Sequence, residues 1–182
     1  MKITRLNDSS SIYLKLAVVA TLALFVVFAR VAPHPANFAP VAAVALFAGA
    51  ILPRKWALSA PLLAMIASDL IIGLHSLVFV TWGIFVLIAL SSHRLLRKAN
   101  KTKIVAGSVA ASVLFFVVTN FAVWAQGLMY PMNLGGLIQC YVNAVPFFRG
   151  TLLGDLFYSG VLFGAYAFVA HLVAQKESTQ TA

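Results

Sequence analysis

Acidic residues are almost missing from this chain: there are four, against thirteen Lys and Arg, in 182 residues, and charged side chains of both signs make up only 9%. A water-soluble domain carries roughly a quarter of its residues charged, so this composition excludes one. Cysteine is nearly absent too, and a single Cys140 excludes an internal disulfide framework. No His, Cys or carboxylate pair has a diagnostic metal-ligand spacing, so no metal site and no cofactor is expected. The net charge of +9 would suit nucleic acid, but the basic residues fall in short clusters between apolar runs. That pattern belongs to membrane orientation, and no nucleic-acid partner is expected.

What is present is apolar: 62% of residues are hydrophobic and the mean hydropathy is +0.97. The chain reads as an all-α integral membrane protein whose partner is the lipid bilayer, with one domain over residues 1–175 and a polar, disordered tail over 176–182. Basic Lys2, Arg5 and Lys15 precede the apolar run 16–29, which has the look of a secretory signal. Arg30 stands where small residues would precede a cleavage site, so a retained first helix is expected. Six spans are read, at roughly 12–31, 37–53, 56–74, 76–93, 104–125 and 150–173. With both termini inside, the inner side receives Lys2, Arg5, Lys15, Arg54, Lys55, Arg94, Arg97, Lys98, Lys101, Lys103 and Lys176, leaving only Arg30 and Arg149 outside. The segment 126–150 is expected as an outer loop holding a short interfacial helix over 134–145, too short and too polar (Gln139, Asn143) to be a span.

The polar residues gather toward one side. On these spans Asp69 lies about five residues before the outer end of helix three, and Asp155 about five after the outer start of helix six, so both sit roughly 7–8 Å below the boundary. Asn120 is expected at similar depth, with Trp124 one turn later on the same face. Arg30, His34, Asn37, His75, Tyr130, Gln139, Cys140 and Arg149 lie in or near the outer loops, while the inner halves of the helices are almost purely apolar. A proton relay or pore needs polar residues at several depths; a pocket closed below and open outside needs only this arrangement. Asp69, Asp155, Asn120 and Trp124 are therefore expected as pocket wall, and Asn37, His75, Tyr130 and Arg149 as roof. The glycine-containing segment 126–150 is expected to close over a ligand held by Asp69. The bland alternative pairs the two aspartates with Arg30 and Arg149 as structural ion pairs. For Asn120 it is interhelical hydrogen bonding, and for Trp124 and Tyr130 an interfacial belt.

The stretches RVAPHPANFAPVAAVALFAGA, MIASDLIIGLH, FFVVTNFAVW and CYVNAVPFFRGTLLGDLFYSGVLF, spanning 30–163, resemble a bacterial family of small membrane proteins of unknown activity described as candidate transport proteins. That family in turn resembles the substrate-binding S components of energy-coupling-factor vitamin transporters. The resemblance implies six helices with both termini inside, a multi-pass place in the bacterial cytoplasmic (inner) membrane, and capture of a vitamin- or cofactor-like small molecule in an outward pocket. An energising transporter module is the partner it implies. The alanine-xxx-alanine motif of module-sharing S components is not reproduced: helix one offers Ala17 and Thr21, with Ala20 and Ala23 nearby. A solitary cobalamin or corrinoid uptake protein is the alternative, with His75, His34 or Cys140 as candidate cobalt ligands.

Two other classes compete. Paired carboxylates could serve an intramembrane aspartyl protease, but such enzymes carry Tyr-Asp and Gly-x-Gly-Asp, whereas here Ser68 precedes Asp69 and Leu152-Leu153-Gly154 precede Asp155. No enzyme is expected. A non-catalytic structural or assembly subunit would use the small-residue pairs Ala45/Gly49, Ala60/Ala64 and Gly160/Gly164 for helix packing.

Overall fold

The computed structural model describes residue 6, residues 9–96 and residues 100–180. Lys2, Arg5, Arg97 and Lys98, counted above toward the inner side, lie outside these. The described chain is all helical: α1 (Ile12–Val31), α2 (Val41–Ile51), α3 (Arg54–Ile72), α4 (Val78–Leu95), α5 (Lys101–Ala125) and α6 (Leu134–Gln180). Five of the six, all but α2, are long and apolar enough to cross a bilayer. Leu24, Phe28, Leu70, Ile71, Phe79 and Phe168 are each more than 60% exposed, a surface that suits lipid and not water.

The second span is shorter than the expected 37–53. Prolines clip it at both ends, Pro40 at its N-cap and Pro53 just past its C-cap, because proline lacks the amide that would extend the ladder. Its eleven residues reach only about 16 Å, short of the roughly 30 Å hydrocarbon layer. Every one of them is buried, as a helix apolar on all sides requires. Gly49 allows the closest approach: a Cβ there would strike the Ala89 carbonyl and sit 2.7 Å from Ser92 Cβ on α4. Ser92 Oγ also donates to the Leu46 carbonyl at 2.5 Å, tying the two helices.

Contacts fix the helix directions. Arg30, near the end of α1, reaches Asp69, near the end of α3, so these neighbours run the same way. The chain between them, residues 32–53, must return across the bundle, and it does so with α2 and its flanking extended residues. The end of α2 meets the end of α4 through Gly49 and His93. α5 and α6 run oppositely, joined by Ser112 to Asp155 and Ser108 to Ser159. Directions therefore alternate along all six helices. One end of the bundle holds the end of α1, the start of α2 and the α3–α4 turn; the other holds Arg54, Lys55, Arg94, Lys101 and Lys103.

α6 departs from expectation. The helix expected over 134–145 is there, but it continues without a break through the region expected as loop and on through the span at 150–173. Asn133 starts it, its side chain accepting from Gly136 N at 2.9 Å. Pro146 lies inside without ending it. Between its contacts to Asp155 and Tyr141, α6 advances fourteen residues while α5 advances only from Ser112 to Val117. The helices thus do not run parallel there, and Pro146, which cannot donate to the Val142 carbonyl, lies in that stretch. The tail expected as disordered is helical to Gln180, in keeping with its good helix formers Ala174, Gln175, Lys176 and Glu177; residues 181 and 182 lie outside the described ones.

Candidate functional site

A cavity of about 400 Å³ opens at the bundle end away from Arg54 and Lys101. Its wall is drawn from every helix: Arg30 on α1, Val41 and Ala42 on α2, Met65 and Ile72 on α3, Thr81 and Phe85 on α4, Phe115 on α5, Thr151 and Asp155 on α6. The α1–α2 connection adds His34, Asn37 and Ala39, and the α3–α4 turn adds His75. Two glycines of α6 seat the connection: a Cβ on Gly150 would collide with the Ala36 carbonyl, and one on Gly154 would lie 3.1 Å from Phe38 Cα. Asn37 adopts φ 59°, a left-handed turn that asparagine tolerates.

Asp69 is not in this wall. It lies behind Arg30, 1% exposed, its Oδ1 2.7 Å from Arg30 Nη1. Its Oδ2 accepts from Trp82 Nε1 at 2.7 Å. Arg30 Nη1 also donates to Ser68 Oγ and to Met65 Sδ, the latter at 3.3 Å. One ion pair and an indole thus tie α1, α3 and α4 together, and they hold the arginine at the cavity wall. Of the two carboxylates, Asp69 takes the structural role that the arginine pairing allowed.

Asp155 lines the cavity and has a different environment. It is 2% exposed and accepts from Ser112 Oγ at 2.6 Å, while Ser108 and Ser159 continue a hydroxyl cluster behind it. The expected pairing with Arg149 does not form. On a continuous α6, residues six positions apart point to different faces, and Arg149 is exposed. Among the described residues no basic side chain pairs with Asp155.

Two histidines stand at the exposed rim. His34 Nδ1 lies 2.8 Å from the Pro35 carbonyl and, because a carbonyl only accepts, it donates there. His75 Nδ1 accepts from Leu77 N at 3.3 Å, which leaves its Nε2–H as a donor.

A second hollow of about 240 Å³ adjoins the first and shares Asn37, Phe115 and Thr151 with it. Asn120 lines this one, with Phe116, Phe147 and Phe148. The equal depth expected for Asn120 and Asp155 does not hold, because Asp155 faces Ser112, two turns or about 12 Å before Asn120 on α5. The expectation failed because it started the last helix at 150 and not at 134.

The remaining candidates lie apart. Trp124 Nε1 donates to the Pro131 carbonyl at 3.0 Å, and Tyr130 Oη accepts from Asn143 at 3.4 Å, so both brace the α5–α6 connection. Cys140 is buried and donates to the Asn120 carbonyl at 3.3 Å, and Tyr141 Oη donates to Val117 O at 2.7 Å. These bonds clamp the segment expected as a closing lid onto α5; the connection 32–40 contributes His34, Asn37 and Ala39 to the cavity lining instead. Of the three candidate cobalt ligands only His34 and His75 reach the cavity, and no group of three His, Cys, Asp or Glu converges among the described residues.

Sequence reasoning missed Thr81, Phe85, Phe115 and Thr151 in the wall, and Trp82 and Ser112 behind it. Phe85 and Phe115 carry no signal among fourteen phenylalanines. Trp82 was legible only in hindsight, as an indole one helical hairpin away from a membrane carboxylate.

These features define a multi-pass helical membrane protein with a cavity of mixed polar and apolar lining at one end of its bundle. The chain belongs to the DUF6580 family, a family of unknown function, whose profile matches residues 10–178. No curated protein and no solved structure matches it.

Proposed function

We propose that this protein captures a small molecule in the cavity lined by Arg30, His34, Asn37, His75 and Asp155, and carries it across the bacterial inner membrane in the manner of an S component. The single observation behind this reading is the buried Asp155 carboxylate, without a basic partner, in the wall of a cavity of about 400 Å³. A buried carboxyl without a basic partner is costly to ionise, and a ligand seated in the cavity would offset that cost. Sidedness supports uptake: the cavity opens at the end away from Arg54, Lys55, Arg94, Lys101 and Lys103, and the positive-inside bias then turns it outward. The volume lies at the small end of ligand sites, which favours a compact vitamin-like molecule over a corrinoid macrocycle. Docking on an energising module belongs to the same reading, with the exposed apolar helix faces as its surface.

Native mass spectrometry of the protein released from lipid nanodiscs tests this. A bound small molecule should accompany the wild type and be lost in Thr81→Trp, which fills the cavity. Identical spectra for the two proteins would sink the reading in favour of a structural subunit.

A further inference from the structure

The charges around the cavity do not balance, and the imbalance has a sign. Arg30 is offset by Asp69 at 2.7 Å. The Nδ1 atoms of His34 and His75 are engaged by backbone, with the Pro35 carbonyl and the Leu77 amide respectively. Asp155 is left with one serine hydroxyl. In the same cavity wall, Phe85 and Phe115 are stacked, ring centroids 5.4 Å apart and planes 24° apart, and Phe115 lies one turn after the Ser112 that bonds Asp155. Aromatic faces attract cations through the ring quadrupole, most strongly where water is excluded.

We propose that the ligand is a compact organic cation, a quaternary or protonated amine, whose charged nitrogen sits between the Asp155 carboxylate and the Phe85–Phe115 pair. This rests on the capture reading above and names the class of molecule captured. A carboxylate alone would suit a hydrated metal ion equally well, but two apolar rings cannot replace that ion's water shell, whereas they match the weakly hydrated surface of an alkylammonium. Arg30 does not oppose the cation because its charge is already compensated. The rim imidazoles and Asn37 are left to bond the polar groups on the rest of the molecule.

The test uses the full chain in nanodiscs and three probes of one shape: choline, its neutral isostere 3,3-dimethylbutan-1-ol, and the anion 3,3-dimethylbutanoate. Radiolabelled choline is expected to bind saturably and to be displaced by unlabelled choline, with the alcohol and the acid at least tenfold weaker as competitors. Asp155→Asn should weaken choline at least tenfold and Phe115→Leu several-fold, while Arg149→Gln, outside the cavity, leaves it unchanged. Binding of the alcohol as tight as choline would overturn the proposal, and so would an unaltered affinity in a monodisperse Asp155→Asn protein. The wild-type probe series decides the matter even if that variant does not fold. Tighter binding of the acid, lost in Arg30→Gln, would overturn the cation assignment and leave the capture reading standing. No saturable binding of any probe overturns the cation assignment, and the mass-spectrometric comparison of wild type with Thr81→Trp then shows whether capture falls with it.

Discussion

Removing the charge of Asp69 strands Arg30. The guanidinium would keep Ser68 and Met65 but lose its only anionic neighbour among the described residues, in a largely buried position. Breaking a buried pair from one side costs about 3–5 kcal/mol, so Asp69→Asn should unfold at markedly lower temperature in detergent. Trp82→Phe keeps an aromatic ring, though a smaller one, and removes one hydrogen bond to the same carboxylate. It should cost about 1–3 kcal/mol, less than Asp69→Asn. Asp155→Asn behaves in the opposite sense: it removes a buried carboxyl group that has no basic partner and keeps an acceptor for Ser112. Thermal denaturation should find it as stable as the wild type or more so, with the loss confined to ligand binding. Equal destabilisation by Asp69→Asn and Asp155→Asn would contradict the separation of the two roles.

At the scale of elements, the cavity depends on how closely the connection 32–40 is pressed onto α6. Gly150 is the contact point, and a methyl group there meets the rigid Ala36 carbonyl, not a flexible side chain. Gly150→Ala should cost about 1–3 kcal/mol through displaced backbone and should weaken ligand binding as His34 and Asn37 move. Gly160 on the same helix has open space around its would-be Cβ. Gly160→Ala should therefore be neutral, or gain up to about 1 kcal/mol of helix propensity. A thermal-shift comparison of the two variants checks the difference, and equal responses would mean that the α6–connection contact does not set the cavity. The element level is also where sequence reading was weakest. The region 146–149 reads as a break because it holds Pro146 and lies between a polar helix and an apolar one. Pro146 nonetheless stays helical, since clamps at Cys140 and Tyr141 on one side and Asp155 on the other hold both halves to α5.

At the scale of the whole molecule, alternating helix directions and the basic clusters make a sidedness prediction. In a Cys140→Ala background, an impermeant maleimide applied from outside should label Met129→Cys and miss Lys101→Cys; both positions are exposed. The reverse pattern would turn the cavity inward and remove the uptake reading. The short α2 makes this test informative, because the alternation holds only if residues 32–53 return the chain across the bundle.

Membrane class, helix content and the clustering of polar groups toward one end were determined by the sequence alone. Hydropathy and charge placement are local properties, and the bilayer reads them without reference to packing. The Arg30–Asp69 pair was legible as one of two possibilities, because both residues fall near the same end of their helices. Tertiary structure alone decided that Asp69 is ion-paired and Asp155 is not, that Phe85 stacks on Phe115 in the wall that holds Asp155, and that the connection 32–40 lines the cavity in place of the segment after α5. Those outcomes depend on the rotation of each helix about its axis and on the register between neighbours. In an almost uniformly apolar helix many rotations bury equivalent surface, so only the few specific contacts, a glycine against a carbonyl or an indole on a carboxylate, select among them.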